Sequence, residues 1–134
     1  MFLYLLNDKE GKAFIELVIH AMNVCGKHGE CPKVEYETYL AELNLHDYQI
    51  VGCTFEDVVK EYEYSSLPVK RSVIIELCGI LCVDNEIDNE QLKWIYTLSD
   101  LFELPREEAE RLVRWSKDFS DFLEIGLMYI NAKS

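Results

Sequence analysis

The run V-I-I-E-L-C-G-I-L-C-V, Val73 to Val83, is apolar and broken only by Glu76. A helix that is apolar nearly all round has to be enclosed by its neighbours. Eleven residues are too few to cross a bilayer, so the enclosure must be protein. The run is too continuous, and too well followed by helical patterning, to be a half-buried strand. It therefore predicts a central buried helix with other helices packed around it. Gly79 weakens that helix by about 1 kcal/mol, which leads us to expect a neighbouring helix approaching closely at that point.

Helical patterning recurs through the rest of the chain. From Phe14, apolar residues return at Leu17, Val18, Ala21 and Val24, with Glu16, His20, Asn23 and Lys27 as the polar stripe. Asn7 or Asp8 can cap this helix, and Gly26 and Gly29 can end it. A second helix is expected from Pro32, carrying Tyr36, Tyr39, Leu40 and Leu43. Thr54 is an N-cap for a third. Ser65-Ser66-Leu67-Pro68 is a linker or the start of the central helix. Asp88 and Gln91 fit a capping box, with Ile87 and Leu92 at the hydrophobic-staple positions. The helix that follows carries Leu92, Ile95, Leu98 and Phe102. Pro105 opens another, with Glu107 and Glu108 in its first turn, where the helix dipole favours anions. A last helix is expected from about Asp118, with Phe119, Phe122, Leu123, Gly126 and Ile130 on one face.

The fold class is thus all-α: a single helical bundle of about six or seven helices. At 134 residues one domain, 1–134, is expected, burying roughly two-thirds of its unfolded surface. I-E-L occurs at Ile15–Leu17 and again at Ile75–Leu77. Each copy precedes an apolar helix, a short polar connection and a helix with an early glutamate. This pattern suggests two pseudo-repeated helical hairpins, roughly 8–45 and 69–104, with Thr54–Tyr62 as connector.

Net charge is −12, from 25 acidic and 13 basic residues. Such a surface repels phosphate backbones and anionic headgroups, so no nucleic acid and no membrane is expected as partner. Solubility alone is the simplest use of the charge. Beyond that, the plausible partners are cations and proteins with a basic surface. M-F-L-Y-L-L-N-D has no basic n-region and too short an apolar stretch for a signal peptide. Five cysteines without a secreted-scaffold pattern fit a reducing, cytoplasmic location.

Cys82-Val83-Asp84-Asn85-Glu86-Ile87 and His28-Gly29-Glu30-Cys31 each follow an apolar helix, and each precedes a helix with an early glutamate. This layout resembles the tellurite-resistance TerB-like family, in which A-D-G-E-[IV] turns recur in both halves. Asn85 stands where the family pattern has glycine, and His28 where it has aspartate. M-F-L-Y-L-L-N-D-K-E-G-K-A-F and V-K-R-S-V-I-I-E-L are similar to a compact bacterial subgroup of that family. The resemblance covers nearly the whole chain. It implies an all-α cytoplasmic protein associated with stress or tellurite resistance. It also implies divalent-cation binding by acids near the turns, and it does not imply an enzyme. His28 weakens any site in the first half; Asn85 is tolerable because asparagine accepts left-handed backbone.

Val83 to Gln91 holds the carboxylates Asp84, Glu86, Asp88 and Glu90. It is not an EF-hand: counted from Asp84, position six is Asn89 and position twelve is Ile95, so the glycine bend and the bidentate glutamate are missing. The plain reading is a solvated helix start capped by Asp88. The metal reading needs Asp84, Glu86 and Glu90 to meet Glu30 and Glu35, holding Ca²⁺ or Mg²⁺ weakly. Cys25, His28 and Cys31 form C-x2-H-x2-C, an alternative zinc set that lacks a fourth ligand unless His20 or Cys53 supplies it. Cys78 and Cys82 suit core packing. Glu16 and Glu76 are expected at helix edges facing water, or paired across helices with Lys70 or Arg71, or beside a cation. No phosphate-cradling loop, G-x-S-x-G or H-E-x-x-H occurs. A Cys25–His28 dyad has nothing to orient it. The expected function is a non-enzymatic binding module that engages a protein partner through its acidic surface. A zinc-stabilised domain is the alternative, and a cysteine-dependent enzyme comes third.

Overall fold

The computed structural model describes residues 1–24, 32, 34, 36–82 and 86–132. A 3-10 turn, Leu3–Leu5, precedes six α-helices: α1 (Asp8–Met22), α2 (Tyr36–Glu42), α3 (Phe55–Lys60), α4 (Leu67–Leu81), α5 (Asn89–Leu101) and α6 (Arg106–Asn131). There is no strand among the described residues. The helix starts follow local chemistry. Asn7 accepts from Glu10 N at 2.8 Å while Glu10 Oε1 accepts from Asn7 N at 2.9 Å, a reciprocal capping box. Thr54 and Ser66 cap α3 and α4 through their hydroxyls.

At the acidic stretch, Asp88 accepts from Glu90 N at 2.9 Å, and Gln91 closes the box by accepting from Asp88 N at 3.2 Å. One of the four carboxylates is therefore a cap, as expected. Asp88→Ala should cost about 1 kcal/mol, and Asp88→Ser should be nearly neutral. Urea denaturation of the two variants checks this; equal losses would mean that the charge, not the cap, matters.

α4 occupies the centre, packing on α1, α5, α6 and the N-terminal 3-10 turn. Ile74, Leu77 and Leu81 are fully buried with Phe14, Leu17 and Val18 of α1 and with Ile95 and Leu98 of α5. Two ties cross the layers. The Tyr62 hydroxyl, fully buried, donates to Glu10 O at 2.8 Å, and the Tyr62 ring lies 5.2 Å from that of Phe102.

Three sequence expectations change. Gly79 is exposed, and a Cβ added there would meet nothing within 4 Å. No helix crosses at that point; glycine lies on the one outward strip of α4. Pro32 and Val34 are not helical, and α2 begins at Tyr36. The helix expected from Asp118 is the second half of the continuous 26-residue α6. Nothing near Lys117-Asp118 breaks a helix: there is no proline or glycine, and an aspartate caps only where the backbone leaves helical geometry.

The pairs α1–α2 and α4–α5 share details. α1 and α4 are each 15 residues long, and their caps Asn7 and Ser66 stand 59 positions apart. α2 and α5 both end with a left-handed residue, Asn44 and Glu103, each at φ 61° and again 59 positions apart. In both, the next amide reaches back five residues: Leu45 N to Leu40 O at 2.8 Å and Leu104 N to Ser99 O at 2.9 Å. This is the Schellman ending, with a leucine folded under the helix.

Candidate functional site

The surface of α5 and α6 forms a groove of about 580 Å³. Ile87 and Val113 are buried along it, and Leu92 and Tyr96 are half-buried. Glu86, Glu110, Asp118 and Asp121 stand around this apolar floor with Arg114 and Lys117. The periodicity explains the arrangement. Glu110, Arg114, Lys117, Asp118 and Asp121 recur every three or four residues, so one flank of α6 is charged. The capping box at Asp88 fixes where α5 begins, which sets Glu86 and Ile87 at the groove's end. Tyr96 already receives one guanidinium, with Arg106 4.2 Å from its ring centroid. Burial first, and then the charge of Glu110, raises the Tyr96 hydroxyl above its ordinary range.

Of the sequence-predicted metal ligands, Glu86 lies 3.7 Å from Lys117 Nζ and Glu90 lies 3.3 Å from Lys93 Nζ. Both carboxylates are largely exposed. Asp84, Glu30 and Glu35 lie outside the described residues, as do the alternative zinc residues Cys25, His28 and Cys31. No group of three or more His, Cys, Asp or Glu placed to hold a metal ion occurs among the described residues. Gln91 Nε2 donates to Val24 O at 3.0 Å, so the start of α5 sits beside the chain leaving α1. His20 and Cys53, each considered as a fourth zinc ligand, are neighbours in another way: His20 Nε2 donates to Cys53 O at 2.8 Å.

Glu16 overturns its expectation. It does not face water; it is 3% exposed. Oε2 accepts from the Tyr48 hydroxyl at 2.7 Å and from Val51 N at 3.0 Å. Oε1 accepts from Gly52 N at 2.8 Å and from Cys53 N at 3.0 Å. Gly52 makes this possible: its φ of 82° curls three successive amides toward one carboxylate. Burial alone would raise the Glu16 carboxyl. The Tyr48 hydroxyl, then the amides of Cys53, Val51 and Gly52, outweigh it and hold the carboxyl below its ordinary value. Glu76 is also 11% exposed at its side chain and pairs with neither Lys70 nor Arg71. It accepts from Phe2 N at 2.7 Å and lies 2.9 Å from the Met1 ammonium. Arg71 pairs with Glu108 of α6 instead. The two I-E-L glutamates thus do similar work, each fastening an irregular segment to its helix, Glu16 through three backbone amides and Glu76 through the Phe2 amide and the Met1 ammonium.

A second depression, about 310 Å³, lies over Lys12, Glu16, Tyr48 and Cys53. Its lysines are paired: Lys12 with Asp8 at 2.9 Å and Lys9 with Glu61 at 3.2 Å. Burial raises the thiols of Cys53, Cys82 and Cys78, the last to about 12, which disfavours a nucleophilic thiolate at neutral pH.

The chain matches no protein-family model, no curated protein and no solved structure. No helix among the described residues is long and apolar enough to cross a membrane.

Proposed function

We propose that the protein is a non-catalytic TerB-like module that binds a basic, partly apolar segment of a partner protein along the α5–α6 groove. The observation that carries this reading is the groove itself: four carboxylates against two cations, Arg114 and Lys117, around an apolar floor, on a molecule of net charge −12. Apolar side chains of a bound segment would bury on Ile87, Leu92 and Val113. Its lysines or arginines would face Glu110, Asp118 and Asp121, Glu86 being paired with Lys117. Complementary charge of this kind speeds encounter and excludes acidic competitors. The resemblance of the Cys82–Ile87 turn suggests a stress or tellurite-resistance setting for that partner. The matched caps, glutamates and Schellman endings of the two helix pairs support the pseudo-repeat on which the resemblance rests.

A synthetic peptide of alternating leucine and arginine tests the proposal, with a leucine–glutamate peptide as control. Fluorescence anisotropy should show binding of the first only. Its Kd should rise about tenfold or more between roughly 50 and 300 mM NaCl, because exposed charge pairs are screened. Glu110→Lys with Asp121→Lys should weaken binding at least as much; both positions are exposed, so the fold should hold. Equal binding by the double variant would remove the groove from the proposal.

A further inference from the structure

The charges along the α5–α6 groove have an order as well as a sum. Glu86 and Lys117 lie 3.7 Å apart and answer each other within the molecule. That leaves Glu110, Arg114, Asp118 and Asp121, all exposed and all on α6, to meet whatever enters the groove. From the start of α6 their signs run minus, plus, minus, minus. The steps from Glu110 to Arg114 and from Arg114 to Asp118 are each four residues, about 6 Å of rise and about 40° of turn. These three charges therefore form a stripe about 12 Å long on one flank of the helix.

Arg114 is the member that does not fit a purely basic ligand. It stands one turn from an acid on either side, the spacing at which helical ion pairs form. It nevertheless pairs with neither Glu110 nor Asp118, and makes no ion pair or hydrogen bond among the described residues. A segment made only of basic side chains would set one of them against this guanidinium. A segment with a carboxylate at that point would supply the planar acceptor that a guanidinium pairs with best.

We propose that the groove reads a charge order, basic–acidic–basic at the helical spacing i, i+4, i+8, and that Arg114 is the specificity-determining residue for its middle position. This inference rests on the groove reading and narrows the partner to a helical segment. A helix laid along α6 has the same rise of about 1.5 Å per residue, so its residues i, i+4 and i+8 come level with Glu110, Arg114 and Asp118. The order is the same from either end, so it fits a parallel or an antiparallel segment. Asp121, one turn beyond Asp118, adds to the second basic position. The apolar stripe of the segment lies on its adjacent side, against Leu92 and Val113, as an amphipathic helix seats in a groove. Discrimination comes from repulsion as much as from attraction, since a wrong order brings like charges together.

The net charge of −12 attracts any added cation, so the test holds peptide charge fixed. Two peptides of about 18 residues, long enough to be helical, carry the same leucine stripe. One has lysine, glutamate and lysine at i, i+4 and i+8; the other has glutamate, lysine and lysine. In either direction the second sets two of its three charges against like charge. Fluorescence anisotropy with the full chain at roughly 50 mM NaCl should show the first binding about tenfold tighter or more. Arg114→Glu should erase that preference, because each peptide then makes two favourable contacts and one unfavourable. Peptide helicity is the same against both proteins, and any unfolding of the variant is the same for both peptides, so neither moves the comparison of Kd ratios. Equal binding of the two peptides by wild type, or none, with the leucine–arginine peptide still bound, would overturn the charge order and leave the groove standing. A preference that survives Arg114→Glu would overturn the role of Arg114. Failure of all three peptides to bind would remove the groove and the order together.

Discussion

Replacing Glu16 with alanine should cost about 3–5 kcal/mol, a large part of the stability of a small domain. The substitution removes one buried acceptor that serves four donors: the Tyr48 hydroxyl and the amides of Val51, Gly52 and Cys53. Those donors would lose their shared acceptor, and only water entering from the depression over Glu16 could take its place. Donors orphaned by deletion of a partner cost more than the bond was worth in exchange with water. Glutamine should rescue little, since its amide nitrogen would confront N–H groups. Tyr48→Phe removes only one donor and should cost about 1 kcal/mol.

The same residue predicts a pH dependence. Its carboxyl is held below the ordinary 4.5 in the folded protein. The folded state therefore binds the proton less readily than the unfolded chain. The stabilisation is fully present above pH 4.5 and is lost as pH falls through the lower, folded value. Urea denaturation of wild type and Glu16→Ala between roughly pH 7 and pH 3 should give curves that converge on acidification. Parallel curves would mean that the carboxylate contributes no more in the fold than in the unfolded chain. The difference between the two proteins is the informative quantity, because the other 24 acidic residues titrate in both.

Glu16 also shows where sequence reasoning stopped. Caps are local: Asn7, Thr54 and Asp88 act on amides two or three residues away, so their roles were legible in a short window, whereas Ser66 was read only as part of a linker or helix start. The partners of Glu16 lie 32 to 37 positions away, and three of the four are backbone amides, which leave no mark in a sequence. One signal was available: I-E-L sets each glutamate between apolar neighbours. The centrality of α4 was legible because an all-round apolar run has one home. Its rotation was not, and Gly79 was assigned to a helix contact when it faces outward. The groove is a tertiary feature. Glu86 was singled out for its acidic neighbours in sequence, yet the groove joins it to Glu110, Asp118 and Asp121 of α6. The apolar face from Phe119 to Ile130 was legible as a face, but its pattern alone did not show that the bundle leaves it uncovered.

Leu77→Ala and Gly79→Ala should move stability in opposite directions, although the residues are two positions apart on one helix. Leu77 is fully buried at the centre of the bundle, between the helices that pack on α4. Truncation leaves a cavity that close-packed neighbours only partly fill, at a cost of about 3–5 kcal/mol. For a chain of this size that is a fall in Tm on the order of 10–20 °C. Gly79 has ordinary helical backbone and open space where a Cβ would stand. Alanine there removes conformational freedom from the unfolded chain and touches nothing in the folded one, a gain of about 0.5–1 kcal/mol. Thermal unfolding by circular dichroism measures both. The contrast tests the rotation of α4 about its axis, which neither variant tests alone. A helix turned by half a revolution would make Leu77→Ala mild and Gly79→Ala a steric intrusion. The acidic groove on α5–α6 and the anchoring of Glu76 on the N-terminal segment both depend on that rotation, since α4 is the helix on which α1, α5 and α6 are all seated.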